Sequence, residues 1–356
     1  MKILFVGGSF DKNGGRSSSL VKKITEEIKN NGYNNITIHN GGTYDELKDY
    51  IKSVKNYNVV FWWANVPNDY QKIRNVKEIN PMCMLITSKR NDNNKYAFSQ
   101  LISRSLEQKA NLTVEFSKEN GIFNMMLFDP LGNQWYKGDN VSKCVKILMD
   151  RLTFLKNIKR QGTIKSKELV TVPEETEFFD LIKSYAEVFH TLINPDENIT
   201  RFLGNSSYRC QRGFPSFKSG NYIFVSRRNV DKRYINRENF VPTYFKDNKI
   251  YYVGNNKPSV DTPVQLRLYN KLPKINYMIH AHVYIKDAKF TKLSVPCGAI
   301  EEVEETLKII DNNGERNKDY YAINLIGHGC IVMAERYEQL KNINYIPRIF
   351  PEVMQE

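Results

Sequence analysis

The chain has five histidines, and three of them stand in two short strings of its last third, Met278-Ile279-His280-Ala281-His282-Val283 and Leu325-Ile326-Gly327-His328-Gly329-Cys330. Two imidazoles two residues apart in an apolar run point to one face of a strand, because side chains alternate across it. They can share one ion. His328 stands between two glycines, whose missing side chains let the imidazole turn into a cleft between strands. Three neutral imidazoles leave a coordination position open, as in a catalytic metal site and not a closed structural one. Such an ion polarises a carbonyl and a neighbouring hydroxyl oxygen, stabilising an enediolate when a C–C or C–H bond breaks, and a carboxylate beside it moves the proton. An isolated His-x-His on a strand is more often a packed or solvent-facing pair. The third histidine and an acidic loop upstream favour the ion.

The elements that must hold these groups follow from apolar periodicity. Tyr222 to Ser226, Ile250 to Val253 and Tyr277 to Tyr284 read as strands, Pro263 to Lys271 and Ala299 to Ile310 as helices, and Ala322 to Ile326 with Cys330 to Ala334 as strands flanking the His-Gly turn. A helix over 176–193 is expected to bury Phe179, Ile182, Val188 and Leu192. Earlier in the chain, strands at Lys2 to Val6, Ile36 to Ile38, Val59 to Trp63 and Met82 to Thr87 alternate with helices, which predicts a parallel sheet covered on both faces. Leu112 to Phe116 and Ile122 to Phe128 read as an edge hairpin and Val141 to Leu155 as a closing helix. The expectation is an α/β protein of two domains: a Rossmann-like or flavodoxin-like unit over 1–157, a polar, basic linker over 158–172, and a metal-binding unit over 173–356 opened by Pro173-Glu174-Glu175.

The acidic loop carries a family resemblance. Lys257-Pro258-Ser259-Val260-Asp261-Thr262-Pro263, a helix, Leu272-Pro273-Lys274-Ile275-Asn276 and then His280-Ala281-His282 is similar to the class II aldolase and adducin family, with Asp261 nineteen residues before His280 (280 − 261) as in that family. Phe202-Leu203-Gly204-Asn205-Ser206-Ser207 looks like its Gly-Asn-x-Ser phosphate loop, and Phe217-Lys218-Ser219-Gly220 occupies the place of its Thr-Gly turn. The resemblance implies an α/β/α domain with a central, mainly antiparallel sheet. It also implies zinc, or another divalent ion such as Mn²⁺, Co²⁺ or Fe²⁺, on His280, His282 and His328. A substrate phosphate would be held by Gly204, Asn205, Ser207, Ser219, Gly220 and Ser259, and Asp261 would be either the general acid/base or a further ligand. The implied reaction is lyase cleavage of a phosphorylated or nucleotide-linked sugar, with 4-epimerisation or dehydration as alternatives. The adducin branch makes a non-catalytic module a third reading. Aspartate at 261 resembles the ribulose-phosphate 4-epimerase branch, glutamate being usual in the fuculose-phosphate aldolase branch, and Val260 replaces a serine of the phosphate loop. A homotetramer with sites between subunits is implied, and a tyrosine acid would come from a neighbour or from Tyr337 or Tyr345.

In the first domain, Gly7-Gly8-Ser9-Phe10-Asp11 follows a strand and Gly14-Gly15-Arg16-Ser17-Ser18-Ser19 opens a helix. A ligand site is expected at Gly8, Ser9, Arg16 and Ser17, with Lys89 and Arg90 on the same rim. The string resembles the start of nucleotidyltransferases, but their His-x-Gly-His is missing. The net charge of +13 suits anionic partners, yet no zinc-finger, helix-turn-helix or RNP-like pattern accompanies it, so nucleic acid is not expected. Five scattered cysteines without a C-x-x-C pair, together with the lack of any apolar run long enough for a membrane helix or leader, fit a reducing, cytoplasmic setting.

Overall fold

The computed structural model describes residues 1–66, 76–193, 203–209, 222–312, 314 and 316–354. The chain divides into two units, Met1–Lys156 with Phe350–Glu356, and Asn157–Ile349.

The first unit runs β1 (Ile3–Asp11), α1 (Ser19–Asn30), β2 (Ile36–Thr43), α2 (Tyr44–Ser53), β3 (Val59–Asn65), α3 (Val76–Ile79), β4 (Met84–Arg90), α4 (Phe98–Glu107), β5 (Leu112–Glu119), β6 (Ile122–Phe128), β7 (Asn133–Gly138) and α5 (Val141–Asn157). Strands β2-β1-β3-β4-β5 are parallel, and β6 and β7 continue the sheet antiparallel. This is a flavodoxin-like order. Ile3 and Phe5 pack with Leu20, Ile24, Val145 and Leu148 of α1 and α5, while Leu4 and Val6 pack with Leu47 of α2. Burial on both faces is why these strands read as unbroken apolar runs.

The second unit holds β8 (Thr163–Ser166), α6 (Thr176–Ile193), β9 (Asn205–Tyr208), β10 (Ile223–Ser226), β11 (Phe240–Lys246), β12 (Lys249–Val253), α7 (Thr262–Lys271), β13 (Tyr277–Ala281), β14 (Tyr284–Ile285), β15 (Lys289–Phe290), α8 (Glu301–Asn312), β16 (Tyr320–Leu325), β17 (Gly329–Ala334) and β18 (Tyr345–Ile346). Its sheet, ordered β15-β16-β17-β13-β9-β10-β11-β12-β8, is antiparallel except at its two ends, where β15 pairs with β16 and β8 with β12 in parallel. One face packs on Phe178, Phe179, Ile182 and Phe189 of α6. The other is covered by Leu266, Leu268 and Tyr269 of α7 and Val303 and Ile310 of α8. The domain is therefore α/β/α around a mainly antiparallel sheet. Val188, expected inside, is exposed at 41 %, because the buried stripe of α6 runs through Tyr185 and Phe189.

Two segments depart from the expected division. Part of the expected linker is β8, whose backbone bonds to β12. The last strand, β19 (Glu352–Val353), pairs with β7 and so belongs to the sheet of the first unit. No helix among the described residues is long and apolar enough to cross a membrane.

Candidate metal centre

Alternation along β13 sets the site. Tyr277, Ile279 and Ala281 pack toward α6, whereas Met278 joins the core beneath α7 and α8, so His280 projects on that second face. Asn205 of β9 and Ile331 of β17 stand opposite His280 in register, and residues directly opposite share a face. Two glycines let the neighbouring chains come close. A Cβ at Gly204 (φ +77°) would stand 2.5 Å from the carbonyl oxygen of His280, and one at Gly329 would stand 2.0 Å from that of Ala281.

The three imidazoles form a triangle with ring centroids 5.1 Å (His280–His282), 4.6 Å (His280–His328) and 5.0 Å (His282–His328) apart. His280 and His282 are each 4 % exposed and His328 is fully buried. One ligand atom from each falls within 4.8 Å of the others, close enough to share an ion. His280 Nδ1 lies 2.8 Å from the carbonyl oxygen of Cys330, which can only accept, so the proton sits on Nδ1 and Nε2 keeps its lone pair. That Nε2 and the Nδ1 of His282 are buried without a hydrogen-bond partner. Such orphaned atoms are costly unless something binds them. Burial, reinforced by the other imidazoles, lowers the pKa of His280 and lowers that of His282 well below the ordinary value, so both are neutral and able to ligate. His328 differs. Burial disfavours its charge, but Cys297 and Glu302 on its two sides outweigh burial and raise its pKa well above the ordinary value. Its Nδ1 lies 2.6 Å from Glu302 Oε2 and its Nε2 3.1 Å from Cys297 Sγ. The buried pocket thus stabilises one positive charge, and its donors fit a divalent cation.

Asp261 sits at the N-cap of α7 without capping it. Its oxygens turn across the site instead: Oδ1 accepts from Gly298 N at 2.7 Å, and Oδ2 accepts from Asn205 Nδ2 at 2.8 Å and from Ser259 Oγ at 3.4 Å. Asp261, Cys297 and His328 form a second group of ligand atoms within 4.8 Å. The structure therefore brings together Gly204, Asn205, Ser259, Asp261 and the three histidines. It does not bring Ser207, which is fully buried two residues along β9 with its hydroxyl 3.1 Å from that of Tyr269. Ser219 and Gly220 lie outside the described residues. Among the described residues, 226–228 lie against the Ser259 loop, where Ser226 O accepts from Ser259 N at 3.1 Å and Arg228 N donates to Lys257 O at 3.0 Å. Tyr345 lies in the core beneath α6, on the face away from the histidines.

Sequence reasoning missed three groups. Glu302 lies on the buried stripe of α8 with Val303 and Thr306, and an acid at such a position was the available signal. Cys297 carried no spacing signal. Lys232, 8 % exposed, donates to the carbonyls of Leu203 at 3.1 Å and Val230 at 3.3 Å, and burial pushes its pKa down to about 8 against the pull of Asp231 and Asp261.

In the first unit, all six expected residues, Gly8, Ser9, Arg16, Ser17, Lys89 and Arg90, line one cavity of about 690 Å³. It opens at the carboxyl ends of β1, β3 and β4, where the strand order reverses and open α/β sheets bind ligands. Trp62 and Trp63 line it too, their indole N–H groups buried without partners.

Among solved structures, the chain is similar to the DNA/pantothenate metabolism flavoprotein from Streptococcus pneumoniae, at 16 % identity over 43 % of this chain and 98 % of that one, with a TM-score of 0.34. It is similar to L-fuculose 1-phosphate aldolase at 15 % identity over 47 % and 82 %, with a TM-score of 0.33. The C-terminal domain of the coenzyme A biosynthesis bifunctional protein CoaBC matches at 13 % identity over 43 % and 94 %, also with a TM-score of 0.33. No curated protein matches the chain. Residues 186–286, which carry Asp261, His280 and His282, match the family model of the class II aldolase and adducin N-terminal domain, and the C-terminal half of this chain is thus similar to that family.

Proposed function

We propose that the second unit is a divalent-metal-dependent lyase that cleaves a phosphorylated sugar, with 4-epimerisation or dehydration through the same enediolate as the alternative outcomes. The observation that carries this reading is the buried histidine triangle with two partnerless ring nitrogens. A zinc or similar ion held by His280, His282 and His328 would supply Lewis acidity toward adjacent carbonyl and hydroxyl oxygens. Glu302 fixes the His328 ring so that Nε2 faces the site. Asp261 is the proton carrier, and its Oδ2 is the oxygen to be protonated. The hydroxyl of Ser259, at 3.4 Å the longest of its three bonds, can rotate away to let a proton on. The phosphate is received at Gly204, Asn205 and Ser259. Lys232 stands behind that loop, bonded to Leu203 O, and is a buried cation suited to an anionic substrate.

The test is a screen of ketose phosphates and aldol pairs with and without chelator, read by mass spectrometry for cleavage and by NMR for epimerisation. Chelator-sensitive turnover is expected. A fully metal-loaded protein that turns over no sugar phosphate would contradict the substrate class and bring nucleotide-linked sugars forward. Assembly as a homotetramer in a reducing, cytoplasmic setting completes the reading, and a monomer by light scattering at micromolar concentration would remove the first part. The cavity of the first unit favours a second, anionic ligand, since Arg16, Lys89 and Arg90 line it. Binding should change tryptophan fluorescence, and a flat titration with nucleotides and sugar phosphates would contradict it.

A further inference from the structure

Resting on the metal reading above, we propose that Cys297 is a fourth protein donor to the substrate-free ion, one that substrate oxygens displace, making the resting centre three imidazoles and a thiolate. Cys297 belongs to the turn Pro296-Cys297-Gly298 just before α8, and the turn and the first turn of that helix together reach the site three times. Gly298 N donates to Asp261 Oδ1 at 2.7 Å, Glu302 holds His328 Nδ1 at 2.6 Å, and Cys297 Sγ lies 3.1 Å from His328 Nε2. Because Nδ1 of His328 is directed at Glu302, Nε2 is the nitrogen left for an ion, and the sulfur stands where that ion must be approached.

The distances suit shared coordination. Zinc binds thiolate at about 2.3 Å and imidazole at roughly 2.0–2.1 Å, so two such donors at a tetrahedral angle lie about 3.5 Å apart. A small turn of the Cys297 side chain covers the difference from 3.1 Å. Independent of the cysteine, Nε2 of His280 and Nδ1 of His282 are buried without hydrogen-bond partners, and their group with His328 shares that histidine with the group of Asp261, Cys297 and His328. Asp261 is the rival fourth donor, but both of its oxygens already accept hydrogen bonds, at 2.7 and 2.8 Å. The contact of Cys297 with His328 is one that coordination replaces. On binding, a metal–sulfur bond forms, the thiol proton leaves to solvent, and no electron is transferred.

The consequence is selectivity. A thiolate is a soft donor and shifts the preference toward zinc, cobalt or iron(II) and away from magnesium and manganese. It also leaves Asp261 unligated and free for proton transfer.

The experiment uses the full chain loaded with Co²⁺. The wild type should show visible d–d bands together with a near-ultraviolet sulfur-to-cobalt charge-transfer band. Cys297→Ser should lose the charge-transfer band, keep visible bands and lose selectivity for zinc over manganese in competition titrations. Cys83→Ser, a change in the first unit, should leave both sets of bands intact, and circular dichroism reports whether each variant folds. Visible bands without a sulfur band in the wild type would overturn the thiolate ligand while the three-histidine site stands. A sulfur band surviving in folded Cys297→Ser would assign it to another thiol and also overturn the proposal. Loss of all cobalt binding in the wild type would overturn both readings.

Discussion

Replacing Glu302 by glutamine keeps the shape of the side chain and removes its charge. The affected contact is short and dry: Nδ1 of His328 and Oε2 of Glu302 are 2.6 Å apart, with side chains 1 % and 3 % exposed. With an ion on Nε2, the carboxylate accepts the Nδ1 proton, fixes the ring and raises the basicity of the nitrogen that binds metal. Loss of such a supporting partner costs about 10–100-fold in metal affinity, or roughly 1.4–2.8 kcal/mol. Glutamine can still accept through its carbonyl, so Glu302→Gln should fall in the lower half of that range. Glu302→Ala leaves a buried N–H unpaired and should reach the upper end, since an unsatisfied group costs about 1–3 kcal/mol. Competition with a zinc chelator of known affinity measures both. Zinc affinity in both folded variants within about twofold of wild type would exclude Glu302 as the partner that orients His328, because outer partners that orient a ligand do not act so weakly.

The apo protein should lose stability as pH rises from the ordinary histidine value of 6.5, since the raised pKa of His328 contributes stability present below that value and lost as pH passes through its folded pKa. Zinc replaces that proton, so the loaded protein should show a flatter dependence of Tm, and parallel profiles would contradict the site. Asp261→Asn should retain the ion and lose turnover by about 10²–10⁴-fold if Asp261 carries the proton; equal losses of metal and activity would make it a ligand. Gly204→Ala puts a Cβ 2.5 Å from the His280 carbonyl oxygen at a φ of +77°, and should destabilise the protein by about 1–3 kcal/mol, read as a lower midpoint in urea.

Where local periodicity decided structure, the sequence was readable. The two-residue spacing brought together His280, on β13, and His282, in the bend just past its end, with ring centroids 5.1 Å apart, and the apolar runs of β1, β3 and β4 announced a sheet buried on both faces. The hairpin of β5 and β6 followed from turn chemistry around Lys118 to Gly121. Elements whose stability comes from a distant partner were not readable. β8 is short and has no buried residue, and only its pairing with β12 makes it a strand. β7 contains Asn133, Gln134 and Lys137 and owes its place to β6 on one side and β19 on the other. The same contrast divides the site. His-x-His and the Asp261 loop are local patterns, whereas Glu302 and Cys297 meet His328 across 26 and 31 residues of chain. Ser207 failed for the opposite reason: its spacing from Asn205 gives the right face, but two residues along the strand carry it beneath Tyr269.

Elemental analysis of the purified wild type beside His280→Ala and His328→Ala shows whether three buried histidines hold one catalytic ion. Close to one zinc or similar divalent ion per chain is expected in the wild type, and its loss in both variants while circular dichroism shows them folded. Equal metal content in wild type and variants would exclude an ion shared by these histidines.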